Sequence, residues 1–265
     1  MVMNIDNPDC AFVAFPLSLN RNPVFFGRRG RGPGELIRVD SKSIKYTGGN
    51  SFLVNDSGQF KKITISEKET LIELFGEKMN LQGPFNGMQV FGDGFIDVNM
   101  GGESPDCEFV NYNTNGEITG YLSKYPEWSV DPSIKTFSYI KNFVVSDDGL
   151  HLASFYGHFP CARFIDAHKM RITTLKLDLP QSEEKVLTRR CYVGRPVAEE
   201  EYVLSLYQNQ NNSEIHKWTW SGTFIKRTVL SAKVSFFCLS TDRKTMFAWD
   251  TSSEQLFVCQ ESFCL

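Results

Sequence analysis

The sequence predicts an all-β protein: a six-bladed β-propeller of four-stranded antiparallel blades, with incomplete terminal blades. Three observations carry that expectation. Helical periodicity is nearly absent, while segments of four to seven residues alternate apolar and polar side chains, the period of a half-buried strand. Gly, Asn, Asp and Pro break these segments where tight hairpins need them. The strands also recur in groups of four at spacings of 43 to 55 residues, close to the roughly 40–50 of a propeller blade.

Phe95-Ile96-Asp97-Val98, Phe143-Val144-Val145, Leu150 to Phe155 and Tyr202 to Leu206 are the clearest strands. The turns are Gly92-Asp93-Gly94, Asn115-Gly116, Asp147-Asp148-Gly149 and Ser221-Gly222. Phe52, Phe95, Leu150, Tyr202 and Met246 each open the second strand of a repeat. One period before Phe52 lies Val2 to Asp6, followed by the turn Asn7-Pro8-Asp9 and a strand from Cys10. The last repeat matches with Trp249-Asp250, a polar break, and Gln255 to Val258. The first repeat thus starts at its second strand and the last ends after its third. A blade cannot bury both faces alone, so residues 1–265 are expected to form a single domain. A β-sandwich or a pair of sandwiches, the competing architecture, would lack the grouping in fours.

Composition narrows the function classes. The 265 residues carry 28 Lys and Arg against 31 Asp and Glu, a net charge of −3. A general nucleic-acid binder is usually basic, so no nucleic-acid partner is expected. No apolar run is long enough to form a membrane-spanning helix. Residues 1–15 lack a basic stretch followed by an apolar run and do not read as a signal peptide. The seven cysteines are odd in number and none forms a C-x-x-C pair. A closed disulfide framework and a zinc ribbon are both excluded, and most cysteines are expected to be small buried side chains.

The most distinctive segment is Gly27-Arg28-Arg29-Gly30-Arg31-Gly32-Pro33-Gly34-Glu35-Leu36. Pro33 fixes its own φ and the flanking glycines tolerate positive φ, so the chain turns sharply here. In a propeller this is the crossover from an outer edge to the next innermost strand. The motif resembles the G-x-G-x-G-E-F loop of NHL-type propellers, and more closely the G-x-G-P-G-E-F loop of bacterial TolB-like six-bladed propellers. The segments Asp9 to Leu17 and Lys124-Tyr125-Pro126-Glu127-Trp128 are similar to that group as well. The likeness runs over nearly the whole chain, although the glycine-rich loop occurs only once. It implies a propeller fold and a periplasmic or cell-envelope location, and it assigns no activity.

Several residues are candidates for chemistry. Arg28, Arg29 and Arg31 beside glycine amides suggest an anion nest, with Glu35 as the alternative partner for those amides. No Lys-Ser/Thr ending and no following helix complete a P-loop. Trp218 and Trp220 lie two apart on a strand and share a face, either as inter-blade packing or as an aromatic platform for a glycan or peptide. His151, His158, His168 and His216 show no metal-binding spacing, and no G-x-S-x-G motif is present. Glu199-Glu200-Glu201 reads as a solvated loop. Propeller enzymes can hold calcium in the central channel. Asp97, Asn99 and Asn86 are the available oxygen donors, but they form no calcium loop, so no cofactor or metal site is expected. The expected function is a non-enzymatic binding scaffold whose loop faces and channel mouth meet a protein, peptide or small ligand. A calcium-dependent hydrolase or lactonase is the alternative.

Overall fold

A computed structural model describes residues 2–4, 7–14, 22–66, 69–76, 87–100, 103–126, 138–177, 190–208, 212–240 and 242–259. All twenty-two named elements are strands, and they form antiparallel sheets of propeller-blade type. The chain divides into two compact units, 1–89 with 93–122 and 90–92 with 123–265.

The first unit holds two sheets and most of a third. β1 (Val2–Asn4), β2 (Cys10–Ala14) and β3 (Val24–Arg28) make a three-stranded sheet. β4 (Val39–Gly48), β5 (Ser51–Asp56), β6 (Gln59–Ile65) and β7 (Thr70–Leu74) make a complete blade. β8 (Gln89–Phe91), β9 (Gly94–Val98), β10 (Cys107–Tyr112) and β11 (Ile118–Lys124) make the next. The middle strand β5 is buried along nearly its whole length, while the outer strand β7 is mostly exposed, as the order of strands in a blade predicts. Phe12, Phe26 and Phe52 meet between the first two sheets, Phe12 and Phe26 stacking at 5.3 Å. Phe60 and Phe95 stack at 4.9 Å between the second and third, over fully buried Met88.

The second unit repeats the arrangement. β12 (Lys141–Val145), β13 (His151–Tyr156), β14 (Cys161–Asp166) and β15 (Arg171–Lys176) form one blade. β16 (Tyr192–Ala198), β17 (Tyr202–Gln208), β18 (Ser213–Thr219) and β19 (Phe224–Val229) form the next. β20 (Phe236–Leu239), β21 (Met246–Asp250) and β22 (Gln255–Cys259) form a three-stranded sheet. The first strands β12, β16 and β20 lie in succession beside one another, as the innermost strands of adjacent blades do. A layer of aromatic side chains, including Phe155, Phe164, Tyr192 and Trp218, fills the space between the first two of these sheets. Leu204, Leu206, Ile215, Phe237 and Met246 fill the next.

The expectation is six blades with incomplete terminal ones; the described strands show the four-stranded antiparallel blade, and four complete blades rather than six. Twenty-two strands divide into four complete blades and two three-stranded sheets. β1 sits where the second strand of a blade belongs and β22 where the third belongs, so each terminal sheet is one strand short among the described residues.

The expected turns occupy hairpins. Asn113-to-Glu117 closes through Asn113, whose side-chain oxygen accepts from the amides of Asn115 and Glu117. Asp148 caps its own turn by accepting from the Leu150 amide at 2.9 Å. The cysteines fall partly as expected: Cys161 and Cys191 are buried, while Cys10, Cys107, Cys238 and Cys259 are partly exposed, and all six are free thiols. No helix of the described residues is long and apolar enough to cross a membrane.

Candidate functional site

The glycine-rich segment joins the first sheet to the second and is held from both sides. Gly30 donates to the Leu36 carbonyl at 3.0 Å, and Leu36 donates back to Arg28 at 2.9 Å. Leu36 is fully buried in the core between the two sheets. Beyond it, the amides of Ile37 and Arg38 donate to the buried carboxylate of Asp56, which also pairs with Lys61 at 2.8 Å. The Glu35 carboxylate turns into the loop and accepts from the Gly32 amide at 2.8 Å. A Cβ on Gly30 would sit 2.0 Å from Glu35 Oε2, so a side chain there would displace the Glu35 carboxylate from its place.

The anion position of this loop is therefore filled by the chain's own carboxylate, and the three arginines do not converge. Arg28 lies 3.4 Å from Glu35 but is 82% exposed, a geometry worth little in water. Arg29 donates from Nε to the Asn7 carbonyl at 2.6 Å, and Arg31 points to solvent. A Glu35→Gln variant keeps the loop's shape but loses a charge-assisted bond. Its unfolding free energy is expected to fall by about 1 kcal/mol in urea denaturation. A change near zero would mean that the carboxylate does not hold the loop.

Trp218 lies in β18 and Trp220 in the turn just beyond it; both belong to one buried cluster but meet different surroundings. Trp218 is fully buried among Phe155, Phe164 and Phe224, with its indole N–H on Ser205 Oγ at 3.1 Å. It belongs to the packing layer, not to an exposed platform. Trp220 lies at the end of that layer, 9% exposed, and its indole N–H donates to the Glu199 carbonyl at 3.0 Å.

Trp220 walls a cleft of about 260 Å³ within the second unit. Strand register builds the opposite side. His151, Asp166 and Arg171 are cross-strand neighbours in one row over β13, β14 and β15. Phe164 and Thr173 pair two positions along β14 and β15, on the same face. The turn after β18 closes the cleft with Ser221. Gly222, at φ +92°, packs so tightly on Phe164, Leu175 and Thr173 that a Cβ would lie 2.9 Å from the Phe164 ring. His151 stacks on Trp220 with ring centroids 6.1 Å apart. Lys169, at the β14–β15 turn, reaches Asp166 at 3.3 Å and donates its amide to the same carboxylate at 2.9 Å. That amide bond, with the Lys169 ammonium nearby, holds the Asp166 carboxyl below the usual carboxylate range. Arg171 is exposed and has no ion-pair partner among the described residues.

Sequence reasoning missed this assembly. It treated His151 as an isolated residue and did not single out Asp166, Lys169 or Arg171. The charged hairpin Asp166-Ala167-His168-Lys169-Met170-Arg171 was the available signal. Reading it required the register that sets Asp166 opposite both His151 and Arg171.

Glu199 also corrects the sequence reading. It is not solvated: it is 8% exposed and paired with Arg243 Nε, and that bond raises the Arg243 pKa further. Glu200 and Glu201 are exposed.

A second polar cluster lies deeper, beside Trp218. His216 is 1% exposed, with Nδ1 3.2 Å from Tyr192 Oη and Nε2 3.0 Å from Glu214 Oε2. Glu214 Oε1 accepts from Arg227 at 2.5 Å. The order Tyr–His–Glu imitates a proton relay, but burial pushes Tyr192 well above its ordinary pKa and seals it from solvent. The group is a structural polar network.

Of the channel candidates, Asp97 and Asn99 are buried, and Asn99 Nδ2 donates to the carbonyls of Ser104 and Cys107. Asn86 lies outside the described residues. Among the described residues no three His, Cys, Asp or Glu side chains cluster to hold a metal ion.

No protein-family model matches the chain, and no curated protein matches it by sequence. Solved structures resemble it in fold. A candidate 6-phosphogluconolactonase from Bacteroides fragilis is 13% identical with a TM-score of 0.44, over 80% of this chain and 64% of its own. A candidate 6-phosphogluconolactonase from Bacteroides uniformis is 12% identical with a TM-score of 0.47, over 99% and 76%. The Swd1 β-propeller domain of Myceliophteria thermophila is 11% identical with a TM-score of 0.40, over 84% of each chain. The chain thus spans less than two thirds of the length of the Bacteroides fragilis protein. None of these likenesses carries an activity over to this protein.

Proposed function

We propose that the protein is a non-enzymatic binding scaffold whose binding face lies at the hairpin ends of the second unit, at the cleft walled by Trp220. The observation that carries this reading is the cleft itself. Its walls are rigid strands and a glycine-locked turn, while its lining mixes aromatic surface with a few convergent polar groups. Rigid strands presenting loop residues are the usual way such folds bind. Protein-observed NMR with a mixed library of peptides and fragments tests it. Perturbed amides should concentrate around His151, Thr173 and Ser221; perturbations confined to other surfaces would remove the proposal.

The calcium-dependent hydrolase remains distinguishable by metal analysis of the purified protein. Stoichiometric calcium would replace the scaffold reading. Kinship with TolB-like or NHL-like propellers, a protein or peptide partner, no nucleic-acid partner, and a periplasmic or envelope location belong to the same proposal. The motif at Gly27 to Leu36 supports the kinship. Cell fractionation with pull-down from envelope and cytosol tests location and partner together. The one-domain reading of residues 1–265 predicts a single calorimetric unfolding transition, and two separated transitions would overturn it.

A further inference from the structure

We infer that the Trp220 cleft takes a small anion carried on one flat ring: an aromatic carboxylate or phosphate. The inference deepens the proposed binding face and rests on it. Three features of the lining set the ligand's size, shape and charge.

Size comes from the volume. About 260 Å³ falls below the roughly 300–1,000 Å³ of sites that hold drug-sized molecules. A single six-membered ring with one substituent fits this space; a disaccharide or an extended peptide does not.

Shape comes from the walls. Trp220, Phe164 and His151 all line the cleft, and Trp220 and His151 are inclined by only 30° to one another. The indole is fixed by its bond to the Glu199 carbonyl. The His151 Nδ1 is enclosed without a hydrogen-bond partner, so that ring is held by stacking instead. Fixed aromatic surfaces favour an offset or edge contact with another ring and lose little entropy on binding.

Charge comes from a count of the lining. Lys169 and Asp166 neutralise one another across 3.3 Å, and the Lys169 amide further stabilises the carboxylate. Arg171 is left as the surplus cation, on the row that also holds His151 and Asp166. A guanidinium presents paired N–H donors that match a carboxylate or phosphate. Thr173 and Ser221 add hydroxyls to the lining. An anion whose ring packs on the aromatic lining would present its head group to Arg171.

Four probes test this on the full chain, read through the Trp220 indole N–H resonance, which a Trp220→Phe variant identifies. Benzoate and phenyl phosphate carry both features, benzyl alcohol the ring alone, and acetate the charge alone. Benzoate or phenyl phosphate, or both, should shift the resonance saturably, with benzyl alcohol and acetate at least about tenfold weaker. Whichever of the two ring anions binds tighter identifies the head group. Arg171→Gln, a surface change that leaves the thermal midpoint in place, should weaken the ring anions about tenfold without altering benzyl alcohol. Equal binding of benzyl alcohol and benzoate, or an unchanged affinity in Arg171→Gln, overturns the anion assignment while leaving the cleft as a binding face. If no ring anion binds but library peptides or fragments still perturb the cleft, the ligand class alone is wrong. If nothing perturbs it, both readings fail.

Discussion

Trp218→Ala should lower the unfolding free energy by about 3–5 kcal/mol, the range for truncating a fully buried large aromatic side chain. Trp218 has no exposed surface and touches rings from two sheets: Phe155 and Phe164 on one side, Phe224 on its own. Alanine would leave a large void in a layer that strands on both sides hold open, so the site cannot collapse to fill it. The variant would also leave Ser205 Oγ without the indole donor at 3.1 Å. Trp218→Phe retains most of the packing and should cost clearly less. Urea denaturation with both variants measures the difference. A loss below about 1 kcal/mol for Trp218→Ala would show that this layer does not hold the blades together.

The second large effect is a pH dependence centred on His216. Burial pushes its pKa below the ordinary value of 6.5, and the hydrogen bond to the Glu214 carboxylate only partly opposes that shift. Tyr192 faces the ring from β16 and Tyr207 stacks on it from β17 at 5.1 Å. Arg227 approaches from β19 through Glu214, and Phe224 packs edge-on. Tyr192 and Tyr207 are both pushed up by burial, Tyr207 to about 12, so neither titrates near neutrality. The unfolded chain therefore takes up the histidine proton at a higher pH than the folded chain does. Stability from this site is complete above about pH 6.5 and declines as the pH falls below it. Urea midpoints at pH 7.5 and 5.5 should differ more for the native protein than for His216→Gln. Equal differences would show that other groups carry the acid sensitivity. Removing Glu214 instead would strip His216 of its acceptor and leave Arg227 unpaired, though the half-exposed arginine limits the cost.

Much of the architecture was legible because strand patterning is local. Phe95 to Val98, Leu150 to Phe155 and Tyr202 to Leu206 read as strands in sequence, and the structure has strands at Gly94–Val98, His151–Tyr156 and Tyr202–Gln208. Hairpin turns were legible for the same reason, since positive φ and Asx capping are decided within a few residues. The blade count was less so. Repeat spacing marks where strands recur and marked both terminal repeats as one strand short, but how many blades form depends on how the sheets pack. Pairing gives β1–β3 and β20–β22 three strands each.

The site residues divide along the same line. The glycine-rich loop announced itself by composition, yet the charge its amides meet is Glu35, three residues beyond Gly32. Trp218 and Trp220 are two apart, but Trp220 lies in the turn beyond β18, at the cleft, while Trp218 is buried within the layer. Glu199 looked like part of an acidic surface turn until Arg243, 44 residues away, closed on it.

Local order was thus encoded by the chain alone: which segments extend, where they fold back, and that a glycine-rich crossover follows β3. Those properties follow from backbone sterics and side-chain alternation, which act over neighbouring residues. The Trp220 cleft, the His216 network and the burial of Trp218 were decided only by tertiary structure. Each joins side chains from strands far apart in sequence, and their distances, partners and solvent access exist only once the sheets have packed face to face.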